Sequence, residues 1–334
     1  MLQAQAGYDS AGNQPLPPGT PGRATPESVG IKDPGDPVTL LFMGDSGGIT
    51  NPEPQISVAA AMVEELSGPN PPVAAVHVGD EVYYDGEAAN YVPQFWEPYA
   101  HFQRPIVGVP GNHDGTPVAG VAAGIAVYMA NFCTASPVAP PSDPDLEYGR
   151  HTMTQPYCDW TLNLKAVTLI GVWSNVKSGG NLYQSQQAWL TEELKAAGPS
   201  VPVVVYCHHP CFSIDAMHGG SAVMTEMLDG IFNASRWPDM VIAGHIHDQQ
   251  VLVRTRPGGT TTYIVIGNSG YRNTHPIAGD YVPGMQLPGG ITVPYAWADG
   301  WGYLKMTASG GKLSGQFVQV ALDGTVTPAF EFSS

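Results

Sequence analysis

The sequence predicts a layered α/β fold with buried sheets. Three observations carry this. Short apolar segments of strand length recur along the chain, segments of helical periodicity alternate with them, and the C-terminal part turns β-rich.

The first strand is VTLLFM (38–43), stopped by Gly44. Residues 55–66, QISVAAAMVEEL, place Ile56, Ala59, Ala60, Val63 and Leu66 near one helical face. VAAVHV (73–78), IVGV (106–109) and AVTLIG (166–171) are further strands. Residues 185–197 read as a helix with Ser185 as N-cap and Gly198-Pro199 as stop. VVVYC (203–207) is a strand, Ser221 to Asn233 a helix, and DMVIA (239–243) and TTYIVI (261–266) strands. From Tyr303, two strand-like stretches and an Asp323-Gly324 turn suggest a terminal hairpin. Residues 1–37 form a Pro/Gly-rich extended arm, and 38–334 a single domain. Within it, residues 116–160 are dense in Pro, Ala and Gly and read as a lid insertion.

Composition excludes several partners. The 334 residues are 43% hydrophobic, and no apolar run reaches membrane-spanning length. Lys and Arg number 13 against 29 Asp and Glu, a net charge of −16. Such a chain offers no general nucleic-acid surface and is repelled by anionic lipid. An anionic substrate must be attracted locally, and bound cations are one source of that attraction. Cys133 and Cys158 flank a Pro-rich stretch and could pair in an oxidising compartment, while Cys207 and Cys211 read as buried thiols. Residues 1–7, MLQAQAG, fit a leader remnant or an expression start, and a secreted or periplasmic location is favoured over the cytoplasm.

The chemistry lies at the strand ends. VTLLFM runs into Gly44-Asp45-Ser46-Gly47, and VAAVHV into Gly79-Asp80-Glu81-Val82-Tyr83. IVGV leads to Pro110-Gly111-Asn112-His113-Asp114, VVVYC to His208-His209-Pro210, and DMVIA to Gly244-His245-Ile246-His247. Taken singly, a Gly-Asp after a strand is usually a turn, and adjacent histidines are often packed. Five strands that each deliver a carboxylate, amide or imidazole at the C-terminal end are another matter, because ligand sites of open α/β sheets sit there.

The ordered set GDSG (44–47), GDEVY (79–83), GNHD (111–114), VYCH (205–208) and GHIH (244–247) resembles the calcineurin-like metallophosphoesterases, and among them the purple acid phosphatases. The resemblance covers roughly residues 38–334. It implies a four-layer αββα sandwich, two mixed β-sheets flanked by helices. The common Asp-x-His of the superfamily reads Asp45-Ser46-Gly47 here, so that histidine is missing. Purple acid phosphatases lack it too and supply a tyrosine, which matches Tyr83, with adjacent Tyr84 as the fallback.

By the same resemblance, Asp45, Asp80, Tyr83 and His247 hold a first metal, and Asp80, Asn112, His208 and His245 a second, with Asp80 bridging. A phenolate ligand favours Fe(III) in the first site; the second suits Fe(II), Zn(II) or Mn(II). The implied reaction is hydrolysis of a small phosphate monoester by a metal-activated hydroxide, as in an acid phosphatase. A phosphodiesterase acting on nucleotide or lipid-head-group diesters and a catalytically silent metal-binding module are the alternatives. Asp80 and His113 are the expected catalytic groups, His113 steadying the phosphoryl group or protonating the leaving oxygen. His218, Tyr271 and His275 are substrate-side candidates. His77 and His209 read as packing or orienting residues, and Asp114 as a partner of His113 or a turn cap.

Overall fold

The computed structural model describes residues 14–115, 124–141, 149–175 and 179–334. The stretches 1–13, 116–123 and 142–148, which belong to the expected arm and insertion, lie outside the described residues. The strands are β1 Gly22–Ala24, β2 Val38–Met43, β3 Ala74–His77, β4 Ile106–Gly108, β5 Trp160–Asn163, β6 Thr168–Val172, β7 Val203–Cys207 and β8 Met240–Ala243. They continue with β9 Gln249–Arg256, β10 Gly259–Ile266, β11 Met285–Leu287, β12 Ile291–Trp297, β13 Trp301–Ser309, β14 Lys312–Val320 and β15 Val326–Ser333. The helices are α1 Glu53–Glu64, α2 Ala88–Tyr91, α3 Asn112–Gly115, α4 Gly124–Phe132, α5 Gln184–Ala196 and α6 Ala222–Ala234.

Two mixed sheets form. One has nine strands in the order β1-β5-β6-β7-β8-β10-β9-β12-β11, and the other six in the order β15-β14-β13-β2-β3-β4. Alternation along each strand builds the layers. In β2, Leu40 and Phe42 join Val204, Tyr206 and Ile242 of the larger sheet in the core between the sheets. Leu41 and Met43 point the other way, into a cluster with Val58, Met62, Phe95, Trp96 and Tyr128. On the outer face of the larger sheet, Val203, Val205 and Val241 pack against Leu190, Leu194, Leu228 and Phe232 of α5 and α6. The result is the expected four-layer αββα sandwich.

This arrangement positions the site. β2, β3 and β4 are parallel neighbours in one sheet, and β7 and β8 in the other. The strand ends singled out above are therefore the C-terminal ends of two parallel sets. Hydrogen bonds tie them together: Asp45 N–H donates to Gly79 O at 2.9 Å, and Gly244 N–H to His208 O at 3.0 Å.

Several expectations need correction. The α1 face facing the protein is Pro54, Gln55, Val58, Ala59, Ala61 and Met62, while Ile56 is 52% exposed. The helix is apolar on several sides, and the buried Gln55 decides its rotation: its amide donates to Gln94 O and its carbonyl accepts from Gly48 N–H. α5 starts at Gln184, with Gln186 Oε1 accepting from Tyr183 N–H, so Ser185 lies inside the first turn. α6 is capped as expected, the Ser221 hydroxyl accepting from Met224 N–H. The C-terminal region has three strands, β13 to β15, where two were expected. All four cysteines are free thiols, Cys133 and Cys158 included.

Candidate metal centre

Three of the expected ligands, Asp45, Asp80 and His245, are the non-glycine residues with positive φ among the described residues, at 54°, 58° and 67°. Each sits directly after a motif glycine, where the chain turns sharply out of a strand. Such backbone costs about 1–3 kcal/mol per residue and persists only where the surroundings impose it. Here it turns the three side chains toward one point. The motif glycines permit the approach: a Cβ on Gly111 would stand 2.1 Å from Asp80 Oδ1.

Two sets of acceptor atoms result. In the first, Asp45 Oδ1, Tyr83 Oη and His247 Nε2 form a triangle with every edge 3.3 Å. In the second, Asn112 Oδ1 is 3.0 Å from His208 Nε2 and 2.9 Å from His245 Nδ1, and Asp80 Oδ2 is 3.4 Å from His208 Nε2. Ligand atoms about 2.0–2.2 Å from one ion, at angles of about 90–109°, lie about 2.8–3.6 Å apart, and both sets meet that spacing. Asp45, Asp80 and His208 each offer an atom within 4.8 Å of the other two.

Hydrogen bonds fix which nitrogens face inward. Because a carbonyl only accepts, His208 Nδ1–H donates to Val78 O at 2.9 Å and His247 Nδ1–H to Asn273 O at 2.7 Å. The Nε2 lone pairs are left for the cluster, an orientation typical of ligating histidines. Lone pairs thus converge in a buried place, and the Lys and Arg ion pairs among the described residues all lie elsewhere. Without another cation, a proton has to serve. Burial disfavours charge on His208, yet Asp80 and Asp45 push it up to about 9. His247 is raised by Asp45 against the same burial, whereas burial and the rings of His209 and His208 hold His245 well below its ordinary range. For Asp80, burial works upward, but His208 and His113 outweigh it and hold the carboxyl below the usual range. The donor set fits metal ions.

The loops beneath the ligands are held by groups the sequence did not mark. Asp114 is one of them. Its carboxylate accepts from the N–H groups of Asp80 at 2.7 Å, Glu81 at 3.2 Å, Val82 at 3.1 Å and Gly111 at 2.8 Å, clamping two ligand loops together. Gln94 holds Tyr83 from both sides, its Oε1 accepting from Tyr83 N–H at 2.8 Å and its amide donating to Tyr83 O at 2.7 Å. A Cβ on Gly47 would lie 2.6 Å from Gln94 Oε1 and 2.9 Å from the Tyr83 ring, so Tyr83 occupies the space a side chain at 47 would need. Tyr83 is 1% exposed and stacks on Tyr271 at 4.0 Å. Tyr84 is 44% exposed at the mouth, away from the ligand atoms.

His77 is a packed residue. Its Nε2–H donates to Ser46 Oγ at 2.8 Å, and Nδ1 accepts from Gly79 N–H. Its contact with Glu81 is no ion pair: burial holds His77 down to about 3, and burial with Asp114 holds Glu81 well above the carboxylate range. His209 Nδ1 lies 2.9 Å from Ser174 Oγ, and its ring packs 4.6 Å from that of His245. A cleft of about 660 Å³ opens over the cluster, lined among others by His113, His218, Tyr271 and His275. His218 stacks on His275 at 4.6 Å, and His275 on His247 at 4.1 Å. Asp215, His218 and His275 form a second group of ligand-type atoms. There the Asp215 carboxylate already accepts from Met217, His218 and Gly219 N–H and from Ser213 Oγ, and His275 Nδ1 accepts from His247 N–H. This group shapes the cleft wall.

Residues 38–249 match the calcineurin-like phosphoesterase family. The chain belongs to this family. Among solved structures the chain is similar to a purple acid phosphatase from yellow lupin, with a TM-score of 0.63 at 14% identity over 90% of this chain. The match takes in 54% of the lupin chain, so this chain spans about half its length. It is also similar to GAP50, described as the anchor in the inner membrane complex of Plasmodium, with a TM-score of 0.60 at 14% identity, covering 88% of each chain. A dimetal phosphatase from Danio rerio gives 0.52 at 11% identity over 89% of this chain and 98% of its own. At these identities the likeness is one of fold. No curated protein sequence matches the chain. Among the described residues, no helix is long and apolar enough to cross a membrane.

Two predictions arise from the loop clamps. Asp114→Asn should keep the sheets, by far-UV circular dichroism, but weaken metal binding by about 10–100-fold in a chelator competition; unchanged affinity would show that the clamp does not set the ligand geometry. His77 is neutral and buried, with a folded-state pKa near 3 against 6.5 for the free group. Its contribution to stability is complete above pH 6.5 and is lost as the pH falls toward 3, because only the unfolded chain takes up the proton. In urea titrations, His77→Gln should reduce the acid-side slope by about 1.4 kcal/mol per pH unit at its steepest; an identical slope in both proteins would contradict this.

Proposed function

We propose that this phosphoesterase is a binuclear-metal acid phosphatase of the purple type, hydrolysing small phosphate monoesters. The observation that carries the reading is the exchange at the first ligand set: Gly47 leaves no room for a side chain, and Tyr83 fills the space with its oxygen 3.3 Å from both Asp45 Oδ1 and His247 Nε2. Burial and the carboxylates of Asp45, Asp80 and Asp114 raise the Tyr83 phenol well above its ordinary value. Its use as a phenolate ligand therefore calls for a hard, highly charged ion, which supports Fe(III) with Asp45, Asp80, Tyr83 and His247. Asn112, His208, His245 and the shared Asp80 suit Fe(II), Zn(II) or Mn(II).

When bound, such a pair of ions would offset the phosphate charge and activate water for in-line displacement. The chain supplies orientation and protons. A bridging role for Asp80 is supported by its lying within 4.8 Å of both Asp45 and His208, its Oδ1 accepting from His113 N–H at 2.9 Å while Oδ2 faces His208. His113 Nδ1–H donates to Tyr84 O, so Nε2 is the nitrogen free to act in the cleft. To steady a phosphoryl oxygen or protonate the leaving oxygen, Nε2 must carry a proton.

The cleft volume of about 660 Å³ also leaves room for a second ester substituent, which favours a phosphodiesterase as the next reading. A silent metal-binding module would be expected to have lost a ligand such as Asp80 or Asn112, and both are present. Hydrolysis of p-nitrophenyl phosphate and bis(p-nitrophenyl) phosphate, compared across pH, tests the reading. Faster monoester turnover, strongest in mild acid and reduced at least about 100-fold by Asn112→Ala, is the expected result. Faster diester turnover would move the function to the phosphodiesterase, and no turnover of either ester by the metal-loaded protein would favour the silent module.

A further inference from the structure

Among the described residues lining the cleft there is a single Lys or Arg, Arg272. In a chain with 13 cationic residues and a net charge of −16, its place over the candidate metal centre is notable. Arg272 is exposed and forms no ion pair with a described residue.

The backbone on both sides of Arg272 is fixed to the ligand-bearing residues. Tyr271 N–H donates to Asp45 O at 2.9 Å, and Trp301 Nε1–H to Tyr271 O at 2.8 Å. On the other side, Asn273 O accepts from His247 Nδ1–H, and His275 N–H donates to His247 O at 2.9 Å. The side chain has neighbours suited to a substrate body. Tyr84 is half-exposed and meets the Tyr271 ring edge-on at 6.4 Å. The Tyr271 hydroxyl has side-chain hydrogen bonds with both Tyr84 and Arg272, so the three side chains form one group.

A strongly acidic protein repels a multiply charged substrate at long range, and a cation at the mouth reverses this locally. A guanidinium also presents paired donors that match a carboxylate or phosphate. We propose that Arg272, flanked by Tyr84 and Tyr271, forms a second subsite for an anionic group on the leaving-group side of the substrate. The substrates preferred by this phosphoesterase are then phosphate monoesters that carry a further phosphate or carboxylate. The substrate class rests on the phosphatase reading above; the subsite itself does not require turnover.

Binding to the metal-loaded full chain tests it directly. Calorimetry would compare phenylphosphonate with its meta- and para-carboxylated forms, none of which is hydrolysed. At low salt the wild type should bind a carboxylated form about fivefold more tightly than the parent, and Arg272→Gln should bring that ratio close to about one. Arg272→Lys should restore part of it. Equal affinities in the wild type would overturn the subsite. Equal weakening of all the ligands by Arg272→Gln would also overturn it, because Arg272 would then be holding the phosphonate itself. The same ratio read as kcat/KM on phenyl phosphate and the carboxyphenyl phosphates separates the two claims. Turnover without a ratio removes the subsite and leaves the phosphatase, and a binding ratio without turnover does the reverse.

Discussion

Charge balance at the meeting point of the strand ends is the constraint on which the rest of the structure depends. Asp45, Tyr83 and His247 in one set, and Asp80, Asn112, His208 and His245 in the other, bring neighbouring oxygen and nitrogen atoms 2.9–3.4 Å apart in a buried place. Unpaired, such groups cost several kcal/mol each. The surrounding structure holds them together nonetheless. Positive φ at three ligands, glycines at close approach, and the four N–H groups gathered by Asp114 all oppose relaxation. A fold that resists separation of its acceptors in this way is preorganised for cations.

The sandwich makes this possible because the two sheets present the C-terminal ends of parallel strands to a common edge. β2, β3 and β4 supply Asp45, Asp80, Tyr83 and Asn112, and β7 and β8 supply the histidines. The inter-sheet core of Leu40, Phe42, Val204, Tyr206 and Ile242 sets the distance between the two groups of loops. A shift of one sheet over the other would change the edges that define both ligand sets. Stability of the inter-sheet core and geometry of the site are therefore one problem.

Much of this was legible in the sequence, and physics explains the division. Asp45, Asp80 and His245 each follow a glycine that stops an apolar run, so strand, turn and donor could be read together, as in VTLLFM-Gly44-Asp45 and DMVIA-Gly244-His245. The missing histidine at Gly47 and the tyrosine at 83 were visible as a pair, but the steric reason, Gln94 and the Tyr83 ring filling the space, lies in three dimensions. Gln94 and Asp114 carry no periodic or motif signal that reveals their partners, since those are backbone N–H and C=O groups brought near by folding. Apolar periodicity misplaces the rotation of α1 because it ignores a buried glutamine held by hydrogen bonds. A lone arginine in a loop, such as Arg272, carries no signal in the sequence until the fold sets it over the cleft.

The central claim is that the converging acceptors bind two ions, and metal stoichiometry tests it most directly. Elemental analysis of the full chain, reconstituted with Fe and Zn and freed of excess ion by gel filtration, should find about two metals per chain, and about one after His247→Ala. Retention of no metal by the folded wild type, or loading unaffected by His247→Ala, would contradict the account.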